Sequence, residues 1–256
     1  MTRLLLLTFA VACAAEETTT PADDSSSDIS EIPTPSADND DEMDDSSNQN
    51  DDSSNNDSQS EPAETLEYQF NESDSLLYVQ VWKDPSASLS GFAHDHVVRA
   101  DDWTGIIAYN ADDISECEFD FSVPVAKLKV DEDAMRQHVG YDDTIKTSDR
   151  SQIREHMLAD NQLNADGYSE ITFSSTGCEK SGSDSLSITG EMFIAGTSRN
   201  ISLDVDFSIR NGKAYVSGEY NFTHSDYNIE PYTAFFGQVR NGEDLRITFD
   251  MAGQAL

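Results

Sequence analysis

The sequence predicts an all-β domain over residues 66–256, either an antiparallel sandwich or a barrel, with a short helical insertion. Apolar and polar residues alternate with a period of two in several runs, which is the pattern of half-buried strands. Turn-forming residues separate these runs, and short strands joined by tight turns are typical of antiparallel sandwiches and barrels. About 190 residues suffice for one substantial core, so we expect a single domain.

The predicted strands follow one another along the chain. Five runs have apolar residues at alternate positions: Leu77, Val79 and Val81; Phe119, Phe121 and Val123; Leu186, Ile188, Met192 and Ile194; Ile201, Leu203, Val205, Phe207 and Ile209; Leu245, Ile247, Phe249 and Met251. Gly196-Thr197-Ser198 predicts a turn, and Asn211-Gly212 predicts a two-residue hairpin because both positions tolerate a positive φ angle. The later runs are therefore expected to pair as hairpins.

A helical insertion is predicted before the strand at residues 171–176. Asp131 can cap a first short helix, and Thr147 or Ser148 can cap a second one that carries Met157 on its apolar side. Helices across the mouth of a barrel suit a ligand cavity, and eight strands can enclose one small ligand or a lipid tail.

The first residues predict export. Residues 1–12 combine a basic start, a short apolar run and a small-residue end, which together describe a signal peptide. The run is too short to span a membrane, which needs about 20 residues. Ala10-Val11-Ala12-Cys13 resembles a bacterial lipobox, which implies cleavage before Cys13 and lipidation of its thiol. Ordinary cleavage at residues 12–15 without a lipid is the alternative. We expect a location in the cell envelope, in the periplasm or at the outer membrane.

Residues 13–65 form an acidic segment rich in Ser, Asp and Asn, and the chain has no Lys or Arg between Arg3 and Lys83. Such a segment buries too little apolar surface to offset the entropy of ordering it, so we expect a disordered tether. The tether is interpreted as a spacer between domain and membrane, or as a solvated leader without a partner. The net charge of −35 excludes nucleic acid as a partner, since phosphate binding needs clustered cations.

Cysteine usage predicts one disulfide. With Cys13 lipidated, Cys117 and Cys178 remain as an even pair in an oxidising compartment. Each lies at the edge of a β-like run. No Cys-x-x-Cys motif supports a zinc or redox site.

The motifs of common enzymes are absent from the sequence: it has no phosphate loop, no dinucleotide fingerprint, no His-Glu-x-x-His and no Gly-x-Ser-x-Gly. We expect a binding protein without a cofactor. His94 and His96 lie two residues apart, so on a strand they would share a face and could bind a metal together with His138, His156 or His224. The simpler interpretation is that one imidazole fills a polar position at the barrel mouth and the other faces solvent.

Aromatic, methionine and histidine side chains are the candidates for a ligand site. Nine residues are expected to line a cavity or its mouth: Trp82, Phe92, His94, Phe121, Met135, Met157, Phe173, Tyr232 and Phe235. The alternative for most of them is ordinary core packing. The segment Tyr232–Gly237 places adjacent aromatics in a predicted loop, which favours a contact at the rim.

The order of several segments resembles the YceI-like family of exported lipid-binding proteins, over roughly residues 76–251. The segments that carry the resemblance are Phe92-Ala93-His94-Asp95-His96-Val97-Val98, Arg154-Glu155-His156-Met157-Leu158, Tyr168-Ser169-Glu170-Ile171-Thr172-Phe173, residues 187–203 around Gly196-Thr197, and Phe222-Thr223-His224-Ser225-Asp226-Tyr227-Asn228-Ile229. The last is similar to the family run Arg-Ser-Asp-Phe-Gly-Ile. Ser169 and Asn200 stand where the family usually has Pro, and Thr223-His224 replaces its basic lead-in.

The resemblance implies an eight-stranded, lipocalin-like antiparallel barrel with a hydrophobic tunnel for a polyisoprenoid or a similar amphiphile. With few candidate counter-charges in the domain, a neutral isoprenoid, quinone or fatty molecule is expected rather than a phosphorylated one. Two other functions remain open. One is a structural or interaction module on a stalk, with an exposed patch at Tyr232–Phe236 and no large cavity. The other is a metal site at His94 and His96.

Overall fold

The computed structural model describes residues 63–256. The predicted signal peptide, Cys13 and residues 13–62 of the predicted tether lie outside this range. The strands within it are β1 (Leu66–Phe70), β2 (Leu76–Lys83), β3 (His96–Arg99), β4 (Thr104–Tyr109), β5 (Glu118–Pro124), β6 (Lys129–Val130), β7 (Glu170–Lys180), β8 (Ser185–Ile194), β9 (Thr197–Arg210), β10 (Lys213–Thr223), β11 (Thr233–Ala234) and β12 (Val239–Ala255). The two α-helices are α1 (Asp133–His138) and α2 (Thr147–Leu158).

The predicted eight-stranded antiparallel barrel is confirmed. Its ring runs β1-β4-β5-β7-β8-β9-β10-β12, and β12 closes it by pairing with β1. The alternation along each strand turns one set of side chains inward, as in any small barrel. The sandwich alternative is therefore wrong, because a sandwich would leave this ring open.

At one end of the barrel, the wall includes strands that lie outside the eight-stranded ring. β12 has 17 residues, and its last part pairs with β1 while its first part pairs with β2. β3 and β6 extend the sheet from β2, and β6 is the last strand on that side. The predicted helical insertion, α1 and α2, follows β6 and precedes β7. α1 packs against β3 and α2 against β6, so the helices complete the wall where strand pairing ends.

The opposite part of the barrel is filled by aromatic side chains. The rings of Phe70 and Phe173 lie 6.1 Å and 5.9 Å from that of Phe119, and all three side chains are buried. The inward positions predicted on β8 and most of those on β9 are buried as well. Ile209 is an exception and is exposed, since it lies near the end of β9.

Local turn signals are mostly correct. Asn211 and Gly212 adopt φ angles of 53° and 72° in the hairpin between β9 and β10, as predicted. The preceding hairpin turns at Ala195 and Gly196 rather than at residues 196–198, because β9 already begins at Thr197.

The predicted helix caps are wrong. α1 begins after Glu132 and α2 after Lys146, and neither of these residues makes a side-chain capping hydrogen bond. Asp131 has a φ angle of 51°, and its carboxylate bonds His96 and Arg136 instead. The Asp131 side chain therefore makes tertiary contacts instead of the local helix cap that the sequence predicted.

Cys117 and Cys178 are joined by a disulfide, which ties the start of β5 to β7. None of the helices within residues 63–256 is both long and apolar enough to cross a membrane.

Candidate functional site

A cavity of about 590 Å³ occupies the end of the barrel that the helices cover. Its wall is mostly aliphatic and aromatic, and its apolar members are Val79, Val81, Phe92, Val98, Leu128, Val130, Ile153, Met157, Leu163, Ile171, Ile194, Phe222, Tyr227, Ile229, Tyr232, Phe235, Leu245 and Ile247. Polar members are fewer: His96, Asp149, Gln152, His156, Gln162, Thr223, His224 and Asn241. No Lys or Arg side chain is among them.

The alternating pattern of the strands builds this wall. Val79 and Val81 on β2 and Leu245 and Ile247 on β12 point inward because residues two apart in a strand share a face. The helix α2 adds Ile153 and its i+4 neighbour Met157, which lie on one side of a helix. Each of these positions follows from a period that is visible in the sequence.

The cavity opens beside two exposed aromatic side chains. Phe92 is 75% exposed and Phe235 is 70% exposed, yet both border the cavity. Phe235 precedes Phe236, which is fully exposed, and both have left-handed φ angles in the loop after β11. The ring of His156, another residue of the cavity wall, lies 4.9 Å from that of Tyr232. The opening thus has an aromatic rim.

Four of the nine sequence candidates border the cavity: Phe92, Met157, Tyr232 and Phe235. The rim position expected for the segment Tyr232–Gly237 agrees with the placement of Tyr232 and Phe235. Whether these side chains contact a ligand stays a prediction.

Phe121 and Phe173 do not border the cavity. Their rings stack at 5.7 Å in the aromatic core, and Phe173 is completely buried. Phe121 borders only a gap of about 10 Å³, which has room for a single water at most. Alternation identifies them as inward-facing, but their position along the barrel axis puts them in its packed part.

Three other candidates lie outside the barrel interior. Met135 belongs to α1 and is buried where that helix packs on β3. Trp82 follows the inward-facing Val81 and therefore faces outward, where the Arg246 guanidinium lies 5.6 Å from its ring. His94 precedes β3 and is exposed, with its Nδ1 bonded to the Asp143 carboxylate.

His96, rather than His94, contributes an imidazole to the cavity wall. Its Nδ1 lies 2.7 Å from Oδ2 of Asp131, which is completely buried. Burial opposes ionisation of Asp131, but hydrogen bonds from His96, the Val97 amide and Arg136 outweigh it, so the pKa of Asp131 lies below its usual value. The carboxylate therefore remains charged and holds His96 in one orientation.

The two histidines do not form a shared metal site. His94 and His96 bond different carboxylates, Asp143 and Asp131. Within residues 63–256, no group of three or more His, Cys, Asp or Glu side chains is placed to hold a metal ion. The two-residue spacing predicted a common face, but only His96 belongs to the strand.

Sequence reasoning missed most of the aliphatic wall and did not place His224 or Tyr227 in it. Ile171, Ile194 and Ile247 were identifiable as inward-facing, but no local signal marks which end of a barrel is hollow. His224 and Tyr227 lie in the short 3₁₀ helix His224–Tyr227 and are both buried beside the cavity. Their signal was the pair of ring side chains three residues apart after the apolar end of β10.

Comparison with known proteins agrees with this fold. The crystal structure of BcnA from Burkholderia cenocepacia is similar, with a TM-score of 0.51 and 12% identity over 70% of this chain and 95% of that one. A Campylobacter jejuni YCEI protein has a TM-score of 0.43 and 18% identity over 60% and 83% of the two chains. No curated protein matches the chain.

The family assignment rests on the sequence match. The family model described as the YceI-like domain matches residues 82–252, which contain β3 to β10 and most of β12. This range is more than half of the chain and includes nearly all of the barrel and its cavity wall. The protein therefore belongs to the YceI-like family.

Proposed function

We propose that this protein binds a neutral, chain-like amphiphile, such as an isoprenoid, a quinone or a fatty molecule, in the barrel cavity. The observation that carries the proposal is the cavity of about 590 Å³ with its largely apolar wall. Small-molecule sites in proteins typically span about 300–1,000 Å³ and are lined mainly by apolar side chains. The family is known for binding polyisoprenoids and other lipids in its barrel.

The size of the cavity limits the part of a ligand that it can enclose. At roughly 30 Å³ for each water-sized group, the cavity accommodates about 20 non-hydrogen atoms. Burial of apolar surface contributes about 25 cal/mol per Å² removed from water, so a chain of this length supplies most of the binding free energy without a charged contact. A longer chain would extend past the aromatic rim.

The charges of the domain favour a neutral head group. Five cations of the domain are the candidates for binding a phosphorylated head: Lys83, Arg99, Arg136, Arg150 and Arg154. None of them borders the cavity. All five bond other groups of the protein: Lys83 donates to the Ala93 carbonyl oxygen, Arg99 pairs with Glu132 and Asp101, Arg136 with Asp131 and Asp143, Arg150 with Asp133, and Arg154 donates to the backbone oxygens of Ala126 and Leu128. A pyrophosphate in this cavity would lack a counter-charge.

The proposal extends to the cell envelope. The signal-like residues 1–12 and the lipobox-like end at Cys13 support export and anchoring by a lipid. The disulfide between Cys117 and Cys178 agrees with an oxidising compartment. Mass spectrometry of the N-terminal peptide from the protein expressed in a bacterial envelope tests the anchor, which requires a chain that begins at a diacylated Cys13.

Organic extraction of the native protein, followed by mass spectrometry, tests the ligand. We expect a stoichiometric, chain-like amphiphile without a phosphate group. Extraction of a phosphorylated lipid would contradict the neutral head, and a protein that neither carries nor takes up an amphiphile would contradict the function.

A cavity-filling substitution links the ligand to this site. Ile171→Trp puts a large side chain into the lumen, and we expect affinity for an apolar fluorescent probe to fall at least about tenfold because the ligand volume is lost. Ser174→Trp, at an exposed position of the same strand, is the matched control and should bind normally. Equal binding by both variants would place the probe elsewhere.

A further inference from the structure

Two stretches of this strongly charged domain carry no charged side chain. Residues 63–256 contain 34 Asp and Glu and 14 Lys and Arg, so about one residue in four is charged. Residues 85–94 and 231–239 contain none of these four types. Within residues 63–256, only residues 103–111, which are mostly strand β4, form another uncharged run of this length. The first two runs lie mostly outside the strands, where charged side chains are usually frequent.

The two uncharged runs contact each other at the opening of the cavity. The Leu89 amide of the first run donates to the Gln238 carbonyl oxygen of the second at 2.9 Å. Phe92 of the first run and Phe235 of the second both border the cavity. The two runs therefore form one uncharged surface beside the opening, which we call the rim surface.

A hairpin holds the most exposed side chains of the rim surface. Ala234 of β11 pairs with Val239 of β12, so Phe235–Gln238 form the turn between them. Phe235 and Phe236 have φ angles of 50° and 57°, a conformation that bulky residues rarely adopt. The turn thus keeps two phenyl rings outside the core at a conformational cost, and such outliers are concentrated at functional sites.

The exposed phenylalanines form an apolar patch. Phe92, Phe235 and Phe236 are 75%, 70% and 106% exposed. Single exposed apolar side chains are ordinary, whereas a contiguous apolar patch marks a surface that contacts a protein, a membrane or a ligand. Aromatic side chains are also the residues that proteins place at the interface between membrane and water.

We propose that the rim surface docks on a neutral lipid bilayer, with Phe92, Phe235 and Phe236 inserted among the lipids. Charged side chains are costly to bury in lipid, so a surface that enters a bilayer has to be free of them. Docking at this place turns the cavity opening toward the bilayer. An apolar ligand then passes between bilayer and cavity without crossing water. Docking itself does not require a ligand, but this passage rests on the proposed function.

The charges around the rim surface favour this occupant over others. Asp84 and Arg240 flank the two runs and neutralise each other, with Nε of Arg240 2.6 Å from Oδ2 of Asp84. Glu230 precedes the second run and Asp149 borders the cavity, so an anionic lipid surface would be repelled. A second copy of this chain carries the same excess of acidic residues, which disfavours pairing of two rim surfaces.

Flotation with phosphatidylcholine vesicles tests the docking. Every form is the full chain with Cys13→Ser, so that no lipid on residue 13 holds the protein on the membrane. The variant is Phe236→Asn, because Asn tolerates the left-handed conformation and the ring that it removes is fully exposed. The matched control is Leu256→Asn, which removes a 73% exposed apolar side chain at the other end of β12.

We expect Phe236→Asn to lower the partition coefficient onto the vesicles about five- to tenfold, because membrane binding scales with the apolar area buried in lipid. Phe92→Ser, on the other run, should have a similar effect, and the two factors should multiply in the double variant. Leu256→Asn should bind like the parent chain. The melting temperature of Phe236→Asn should stay equal or rise, because the ring is fully exposed.

The lipid composition provides a second comparison. On phosphatidylglycerol vesicles at low salt we expect weaker binding, because the acidic domain is repelled, and the difference should shrink as salt is added. Stronger binding to the anionic vesicles would contradict docking through an uncharged apolar surface.

Transfer of an apolar fluorescent probe from vesicles into the protein tests the passage. We expect the transfer rate to rise with vesicle concentration, because transfer takes place in the docked state, and Phe236→Asn to slow it several-fold. A rate that does not depend on vesicle concentration would mean that the probe crosses water, and would overturn the passage.

Three results would overturn the docking. If the parent chain does not bind phosphatidylcholine vesicles, the docking fails, while the cavity function stands or falls separately on the extraction of a ligand. Equal vesicle binding by Phe236→Asn and the parent chain, or a lower melting temperature of this variant, would remove the phenyl ring from the contact. Self-association in ultracentrifugation that Phe236→Asn abolishes would assign the rim surface to a second copy of the chain.

Discussion

Asp131 is a charged residue that contacts the cavity wall through His96. Its carboxylate is completely buried and accepts from His96, from the Val97 amide at 3.1 Å and from Arg136 at 2.8 Å. Arg136 is itself buried and also bonds the Asp95 carbonyl oxygen. This network joins β3 to α1 and orients the imidazole of His96 at the cavity wall.

Replacement of Asp131 by Asn tests this network. We expect Asp131→Asn to lower the free energy of unfolding at pH 7 by up to about 3–5 kcal/mol, because Arg136 is left buried with only the half-exposed Asp143 as a counter-charge. Chemical denaturation measures the change. Asp74→Asn, which breaks the exposed pair with Lys213, is the control and should cost less than about 1 kcal/mol.

The lowered pKa of Asp131 sets the pH dependence. As the pH falls, the unfolded chain takes up the proton first, near a pKa of about 3.9. The stabilisation is therefore complete above that pH and disappears as the pH falls through the lower pKa of the folded protein. The difference between wild type and Asp131→Asn should shrink over this acid range, and a difference that is independent of pH would contradict the account.

For single residues, the sequence predicted some positions in the barrel correctly and others wrongly. The pattern identified Val79 and Ile247 as inward-facing, since alternation is a local property of a strand. It assigned Asp131 to a helix cap and Trp82 to the cavity, because burial and facing neighbours do not follow from a residue's own position.

At the scale of elements, we expect α2 to be the part of the cavity wall that opens most easily. It borders the cavity through Ile153 and Met157, yet none of its residues is buried. Arg154 fastens it to the barrel by donating to the backbone oxygens of Leu128 and Ala126. A helix held by few buried contacts opens at a low free-energy cost.

Loss of the Arg154 anchor should speed ligand exchange. We expect Arg154→Ala to raise the dissociation rate of a bound apolar probe several-fold, because the helix separates from β6 more often. Stopped-flow displacement measures this rate. Glu155→Ala, at an exposed position of the same helix, should leave it unchanged. A rate that is equal in both variants would mean that the ligand leaves past the aromatic rim without movement of α2.

The elements themselves were largely predictable. The hairpin at Asn211-Gly212 and the helical insertion before β7 follow from local signals, turn chemistry and a change of period. The division of the wall into β1 and β2 on successive parts of β12 was not predictable, because strand register depends on the whole ring.

At the scale of the whole molecule, the described residues remain strongly acidic, with 34 Asp and Glu against 14 Lys and Arg in residues 63–256. Surface charge of one sign favours solubility and disfavours association with anionic surfaces. The cavity wall, by contrast, carries one carboxylate, Asp149. The charge is therefore a property of the outer surface and not of the site.

The leader should be dispensable for folding. Ala63 is already tied to the barrel, because its amide donates to Asp112 and its carbonyl accepts from Asn110. We expect a chain that starts at residue 63 to keep its melting temperature within about 2 °C and to bind the same ligand, since its hydrophobic core is complete. Calorimetry and probe titration against the full chain measure both. Weaker binding would assign part of the site to residues 1–62.

The sequence by itself determined the β-rich class, the order of the strands, the position of the helical insertion and the pairing of the two domain cysteines. These depend on neighbours in the chain, through alternation, turn chemistry and spacing. Export and the lipid at Cys13 stay predictions from the leader. Only the tertiary structure decided that the aromatic cluster around Phe119 fills one part of the barrel and leaves the end beneath α2 hollow. Packing of that kind depends on which side chains meet across the ring, and residues far apart in the chain settle it together.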